Sequence, residues 1–392
     1  MKKLIALLLT LTMVFALVAC GAKAPAEEPD PEEEPVVEEP APTEEPAPEE
    51  PVPEEEPAPV ETESKLVGVS MPTKDLPRWN ADGTNMEAML KEAGYDVDLQ
   101  FAANDPTQQV NQIQNMIANG AKVLVIAAID SESLGTVLAE AKEAGVAVIA
   151  YDRLIMGSDA VTYYATFDNI LVGVMQGEHI EKALDLANAG DKTYNIEFIT
   201  GDPDDNNINF FYDGAMGVLQ KYLDAGTLVC VSGQTAMMDV ATEGWDAAKA
   251  QERFENILST YYADKPLDAV MASNDSLAQG VANALSTSYI NDVYPIITGQ
   301  DCDTVSTKNM LDGKQAMSVF KDTRDLAAKT VEMCKAIMEG TEPEINDTET
   351  YDNGTGIIPS YLCAPKECTA YNYKEILDIN YGCTFGDELS LS

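Results

Sequence analysis

Between residues 66 and 151 short apolar runs alternate with amphipathic stretches, and each stretch ends in the same punctuation: Glu92-Ala93-Gly94, Ala118-Asn119-Gly120 and Glu143-Ala144-Gly145. A glycine directly after a helix reads as the left-handed residue that closes its last turn. The runs at 66–70, 97–101, 123–127 and 146–151 are the expected strands. The second helix opens on Asp105-Pro106, a capping carboxylate followed by Pro in the first turn, and Val110, Ile113, Met116 and Ile117 keep helical spacing. Strands separated by helices of this length pair in parallel through right-handed crossovers, so the fold class is α/β.

The pattern resumes with strands expected at 195–200, 228–232, 269–273 and 295–298, separated by helices around 210–224, 245–262 and 277–288. A break near 164–169 divides the two series, which fits two doubly wound lobes better than one large sheet; a single (β/α) barrel is the rival. A length of 392 residues, 45% of them hydrophobic, suffices for two cores. A helix near 305–311, a strand at 316–320 and a helix at 326–339 follow, and periodicity assigns them to neither lobe.

Net charge is -43, from 67 Asp+Glu against 24 Lys+Arg, which excludes an electrostatic grip on nucleic acid or on acidic partners. Residues 21–64 alone hold 17 acidic side chains, one basic side chain (Lys23) and 12 of the 21 prolines, with no aromatic residue. That segment is expected to be a disordered, self-repelling tether. Residues 1–20 place Lys2-Lys3 before an apolar run that is too short to span a membrane and ends in Leu17-Val18-Ala19-Cys20, the pattern of an export signal. The Leu-Val-Ala-Cys box resembles the bacterial lipoprotein cleavage site, which implies a lipid on Cys20 and a membrane anchor. Of the other cysteines, Cys363 and Cys368 are near enough in sequence to pair, Cys230 and Cys334 lie in apolar runs, and Cys302 and Cys383 complete the set. With one His, His179, and no Cys-x-x-Cys, no metal site is expected.

In parallel α/β sheets a ligand lies beyond the carboxyl ends of the strands. Those positions are polar here: Arg78-Trp79 after the first strand, Asp152-Arg153 after the fourth, Asp205 and Asn207 in the 202–207 turn, Asn274 after 269–273, Asp301 after 295–298 and Lys321 after 316–320. Both tryptophans, Trp79 and Trp245, sit beside charged neighbours. Indoles, carboxylates, amides and guanidinium groups together suit a neutral polyhydroxylated ring, whose apolar face stacks and whose hydroxyl edge both donates and accepts. Loss of the Trp245 ring is expected to weaken ligand binding with little effect on folding.

Leu-Pro-Arg-Trp at 76–79, Gln-Ile-Gln-Asn-Met-Ile at 112–117, Val-Leu-Val-Ile-Ala at 123–127, Ala-Tyr-Asp-Arg-Leu-Ile at 150–155, Pro-Asp-Asp-Asn-Asn at 203–207, Ala-Ser-Asn-Asp at 272–275, Thr-Gly-Gln-Asp at 298–301 and Val-Phe-Lys-Asp-Thr at 319–323 resemble the monosaccharide-binding proteins of ABC importers, in particular the xylose-binding and multiple-sugar-binding group. The resemblance spans 65–365 and implies a type I periplasmic-binding fold, two Rossmann-like lobes joined by a three-segment hinge. It implies one lobe from 65–167 with 302–321 and another from 168–301 with 322–365, with crossings near Phe167, Asp301 and Asp322. The tail, 366–392, is left unplaced. Carried over motif by motif, it implies a sugar site of Arg78, Trp79, Asp152, Arg153, Asp205, Asn207, Trp245, Asn274, Asp301 and Lys321. A monomer without cofactor, working with permease and ATPase subunits on the outer face of a bacterial membrane, is the implied assembly. Cys302 departs from the group, whose members tend to carry Ala there.

Other readings are weaker. The 202–206 turn lacks the closing Glu of a calcium loop. No Gly-x-Gly-x-x-Gly or Walker loop points to a nucleotide, and nothing before Lys65 reads as a DNA-binding helix. A glycoside hydrolase using Asp152 and Asp301 is disfavoured by the surrounding cations, which keep both carboxylates ionised. A receptor-adaptor for chemotaxis or a sensor kinase is the alternative to transport.

Overall fold

Strand and helix alternate through the computed structural model, which describes residues 64–289 and 293–378. In chain order the first elements are β1 (Leu66–Met71), α1 (Pro77–Glu92), β2 (Asp96–Phe101), α2 (Pro106–Ala118), β3 (Val123–Ile126), α3 (Gly135–Glu143), β4 (Ala147–Tyr151), β5 (Val161–Phe167) and α4 (Asn169–Ala183). Then come β6 (Tyr194–Ile199), α5 (Asn207–Asp224), β7 (Leu228–Cys230), α6 (Ala247–Tyr261), β8 (Ala269–Ala272), α7 (Asp275–Ser288), β9 (Ile296–Ile297), α8 (Thr304–Leu311), β10 (Met317–Phe320), α9 (Thr323–Met338), β11 (Ser360–Cys363) and β12 (Lys366–Thr369). The proposed leader and tether, Cys20 and Cys383 lie outside the described residues. Among the described residues no helix is long and apolar enough to cross a membrane.

The local signals act as expected. Gly94, Gly120 and Gly145 follow their helices at φ of 87°, 85° and 69°, and the Asp105 carboxylate caps α2 by accepting from the amides of Thr107 and Gln108. The first sheet is parallel in the order β11-β5-β4-β3-β1-β2, and the second is parallel in the order β7-β6-β8-β9. Each is buried on both faces. In the first, Val67, Val69, Val125 and Ile149 pack under α1 and α9, whereas Leu124, Ile126 and Val148 face Ile113 of α2 and Leu138 of α3. In the second, Val270 and Ala272 pack with Phe254 of α6 and Val281 of α7, while Ala269 and Met271 face Ile180 of α4 and Leu219 of α5.

Three findings correct the sequence reading. The break at 164–169 is the end of β5, whose Val-Thr-Tyr-Tyr-Ala-Thr-Phe run has the β-branched and aromatic content of a strand. Segment 302–321 belongs with the second sheet: Met317 and Val319 of β10 lie in its core, and Gln300 bridges in parallel to Val319. Conversely, Leu326, Val331 and Cys334 of α9 pack in the first core and β11 pairs with β5, so most of 322–365 belongs to the first lobe. The chain therefore crosses between lobes after Phe167, after Phe320 and between Cys363 and Lys366, where β12 pairs antiparallel with β10. A three-segment hinge stands, but the crossing expected at Asp301 is replaced by one in the tail.

Helices α4 and α5 cross at glycines. A Cβ on Gly173 would lie 2.0 Å from the Phe211 carbonyl oxygen, and one on Gly214 would lie 2.3 Å from that of Ile170. Both obstacles are backbone, so relief requires the helices to separate. Gly173→Ala is expected to destabilise the fold by about 1–3 kcal/mol despite alanine's better helix propensity. Gly217→Ala on the open side of α5, where nothing lies within 4 Å, should instead be neutral or stabilise by up to about 1 kcal/mol. Urea denaturation of the two variants checks the contrast.

Candidate functional site

Both sheets direct the ends of their strands at one cleft. The α1 helix begins six residues after β1 and brings Arg78 and Trp79 to it. Asp152 and Arg153 follow β4, Asp205 and Asn207 lie at the start of α5, Asn274 caps α7 after β8, Asp301 follows β9, and Lys321 follows β10. All ten residues expected from the sequence line a single cavity. Leu76, Pro77, Phe211, Ser276, Gln300 and Asp303 complete the lining and were not among the expected site residues. Phe211 carries a readable signal, since it stands four residues after Asn207 on one helix face.

A buried ion network dominates this cavity. The Arg78 guanidinium donates to Asp82 at 3.1 Å, to Asp152 at 2.8 Å and to Asp301 at 3.3 Å. Lys321 Nζ stands 3.2 Å from Asp301 and 3.8 Å from Asp152. A second pair joins Arg153 Nε to Asp205 Oδ2 at 2.9 Å, and the Trp245 indole N–H donates to the same oxygen at 3.2 Å. Asp152 comes from the first lobe and Asp301 from the second, so Arg78 and Lys321 each tie carboxylates of both. Asn207 adds a neutral link, its Nδ2 donating to the Asp152 carbonyl at 2.6 Å while its Oδ1 accepts from Tyr164 at 3.1 Å.

Environment separates the carboxylates. Burial pushes the Asp152 carboxyl up, but Arg78, Lys321 and Arg153 outweigh it and hold the group below its usual range. Burial pushes Asp82 up to about 6 against the opposing pull of Arg78, and Tyr151 donates its hydroxyl to Asp82. Asp205 is raised by burial against Arg153. At the rim, half-buried Asp303 is pushed up to about 7 by burial and by the neighbouring Asp301. Behind it Asp275, fully buried, accepts from Gln315, Ser318 and the Asp303 amide and is raised well above the carboxylate range, by burial first and by Asp303 and Asp301 next.

The two indoles differ from expectation. Trp79 is buried, with the guanidinium carbons of Arg78 and Arg153 at 4.6 and 5.2 Å from its ring centre, and its N–H has no hydrogen-bond partner within the protein. Trp245 is also 5% exposed and belongs to the second core. Its ring fills the space beside Gly201, where a Cβ would come within 2.2 Å of the ring. Trp245 therefore packs in the fold as well as lining the cavity, so its loss is expected to affect both, where the sequence alone predicts an effect on binding only. The signal was missed because the ring sits on a short turn, Glu243–Trp245, with no apolar periodicity around it.

The raised carboxyls give the ligand-free protein a defined pH response. Asp303 holds its proton to about 7 when folded, against an ordinary 3.8. Between those values the folded chain keeps a proton that the unfolded chain has lost. This contribution to stability is therefore present below the lower value, declines as pH rises through the interval and is gone above the upper value. Asp82 acts with the same sign up to about 6. Asp303→Asn, which cannot ionise, is expected to flatten the upper part of this decline, measured as the urea midpoint at pH values from about 5 to 8.

Comparison with known proteins agrees with this geometry. The pattern of the periplasmic binding protein domain matches residues 67–342. The chain is 49% identical over 314 residues to the multiple sugar-binding periplasmic receptor ChvE of Rhizobium radiobacter, covering 79% of this chain and 88% of that protein. It is 33% identical over 318 residues to the D-xylose-binding periplasmic protein of Escherichia coli K12, covering 81% and 91%. Among solved structures, an ABC transporter solute-binding protein from Clostridium phytofermentans with bound β-D-glucose is 60% identical, with a TM-score of 0.81 over 83% of this chain and all of that one. A carbohydrate transporter solute-binding protein from Chloroflexus aurantiacus in complex with D-glucose is 31% identical, with a TM-score of 0.74 over 83% and 98%. A strand-end cavity between two parallel-sheet lobes and a domain match over most of the chain lead to one assignment: the protein belongs to the periplasmic binding protein family, in its two-lobed type I form.

Proposed function

We propose that this protein captures a monosaccharide outside the cytoplasm and delivers it to the permease of an ABC importer. The observation that carries the reading is the near balance of charge in a cavity built from both lobes. Three cations, Arg78, Arg153 and Lys321, face Asp152, Asp205 and Asp301 at ion-pair distance, while the two further carboxyls near them, Asp82 and Asp303, are raised towards neutrality by burial, to about 6 and about 7. A charged ligand would upset that balance in a poorly solvated space, whereas a neutral hydroxylated ring adds donors and acceptors without adding charge. The same groups offer what such a ring requires: carboxylates that accept, guanidinium and ammonium groups that donate, and indole and Phe211 surfaces for its C–H faces. The family supports a binding role over catalysis, and the cations that hold Asp152 ionised oppose its use as a proton donor. Relatives named for xylose, multiple sugars and glucose support an aldose as the ligand.

Ligand contact with both lobes couples binding to closure, because the contacts are complete only when the lobes meet. Calorimetry of residues 65–392 against xylose, arabinose, glucose and galactose is expected to yield at least one tight ligand, and saturation with it should contract the radius of gyration in solution scattering. Asp152→Asn should weaken every sugar that binds by about 2–4 kcal/mol, since it leaves Arg78 and Lys321 short of an anion. Unchanged affinity in that variant, or binding without contraction, overturns the two-lobed sugar clamp.

The anchor is proposed on the leader alone: Leu17-Val18-Ala19-Cys20, followed by an acidic proline-rich segment, supports lipidation of Cys20 and a head held at the outer membrane face by a tether. Palmitate labelling in a bacterial host should mark the intact chain and fail to mark Cys20→Ala, with the variant shed into the medium; label retained by the variant overturns the anchor.

A further inference from the structure

Two thiols meet beside the cavity without taking part in it. Cys302 directly follows Asp301, and its amide donates to Ser318 Oγ at 3.0 Å while its sulfur lies 3.8 Å from the Ser318 carbonyl oxygen. Ser318 is the residue of β10 registered opposite Cys368 of β12. The Cys302 and Cys368 side chains are buried together in a small apolar cluster with Met310, Phe320 and Leu377. The remaining described cysteines lie elsewhere. Cys334 and Cys363 pack in or against the first core, and Cys230 contacts Glu197 and Ser232. The sequence neighbours Cys363 and Cys368 are thus divided between lobes, while two cysteines far apart in sequence are brought together.

We propose that Cys302 and Cys368 form a disulfide that staples the C-terminal strand to the turn carrying Asp301. This goes beyond sugar capture and does not depend on it. The staple would join two weak points. Strand β12 has four residues and pairs with β10 alone. Asp301 and Cys302 both hold left-handed backbone, at φ of 94° and 53°, a conformation that persists only where surrounding structure enforces it. Outside the reducing cytoplasm such a bond endures.

The chemistry is thiol–disulfide exchange with an external disulfide, either a small-molecule disulfide or that of a thiol oxidoreductase. One cysteine thiolate attacks a sulfur of the external disulfide and releases one external thiol. The other cysteine then displaces the second, leaving one new S–S bond, one S–S bond reduced, and two protons transferred from the protein thiols to the external pair. Burial, and then the neighbouring Cys368, hold the Cys302 thiol well above its usual range, so exchange proceeds when the tail strand opens or before it docks.

The test uses the full chain in a glutathione redox buffer, in one arm incubated folded and in the other refolded from denaturant, with peptide mapping of both under non-reducing conditions. The expected product is one peptide pair joining Cys302 to Cys368, two mass units below the sum of its thiol forms, absent from Cys302→Ser and dispersed by dithiothreitol. The oxidised chain should melt roughly 5–10 °C above the reduced one, a difference that Cys302→Ser abolishes. Both thiols remaining open to alkylation in both arms, or Cys368 joined instead to Cys363 or Cys383, overturns the proposal.

Discussion

The Arg78 guanidinium is the point on which both lobes converge. It is nearly buried, with a side chain 10% exposed, and stripping water from a cation costs several kcal/mol unless anions replace it. The first lobe supplies Asp82 and Asp152, and the second supplies Asp301. A network of this kind favours the lobes together, because opening the cleft takes Asp301 from Arg78 and Asp152 from Lys321. Arg78 and Lys321 each meet more than one carboxylate, and burial still raises Asp82 to about 6 against the pull of Arg78.

The backbone around this network is held out of its ordinary conformations at several points. Asp152, Trp245, Asp301 and Cys302 all have positive φ, at 59°, 55°, 94° and 53°. None is glycine, so each pays a steric penalty of order 1–3 kcal/mol. At Asp152 the restraint is visible: its carbonyl accepts from the Tyr164 hydroxyl at 2.6 Å, the Thr166 hydroxyl at 2.9 Å and Asn207 Nδ2 at 2.6 Å, while its amide donates to the Ala165 carbonyl at 2.7 Å. The outcome is a carboxylate aimed back across the end of β4 at Arg78, a direction that an extended continuation of the strand would not provide.

Much of this was legible in the sequence because it is written locally. Strand, helix and Gly closure recur, the strands lie buried on both faces, and polar residues fall just beyond their carboxyl ends, so the ten expected residues converge on one cavity. What was illegible is non-local. Four residues at 317–320 carry no record of which sheet they will join, and the choice is made by Gln300, whose bridge to Val319 extends the second sheet. The apolar face of α9 would suit either core, and its placement follows from packing against α1. Strand β5 was hidden because its Tyr-Tyr and Thr residues look polar beside the valine-rich runs, although Tyr164 and Thr166 are fully buried.

The placement of the crossing segments has a mechanical consequence. Because β10 lies in the second lobe, Lys321 sits on the connection by which the chain returns to the first, and Asp322 beyond it caps α9 by accepting from the Arg324 amide. The ammonium of Lys321 therefore reaches Asp301 and Asp152 from a crossing segment, with the rings of Phe167 and Phe211 at 5.8 and 5.6 Å. Phe167 ends the first crossing strand. Two of the three hinge segments thus contribute groups around the same ammonium, so the backbone that must bend during opening is directly attached to the charges that closure brings together. A ligand that takes over one of those contacts acts on the hinge itself, without need of a longer path through either core.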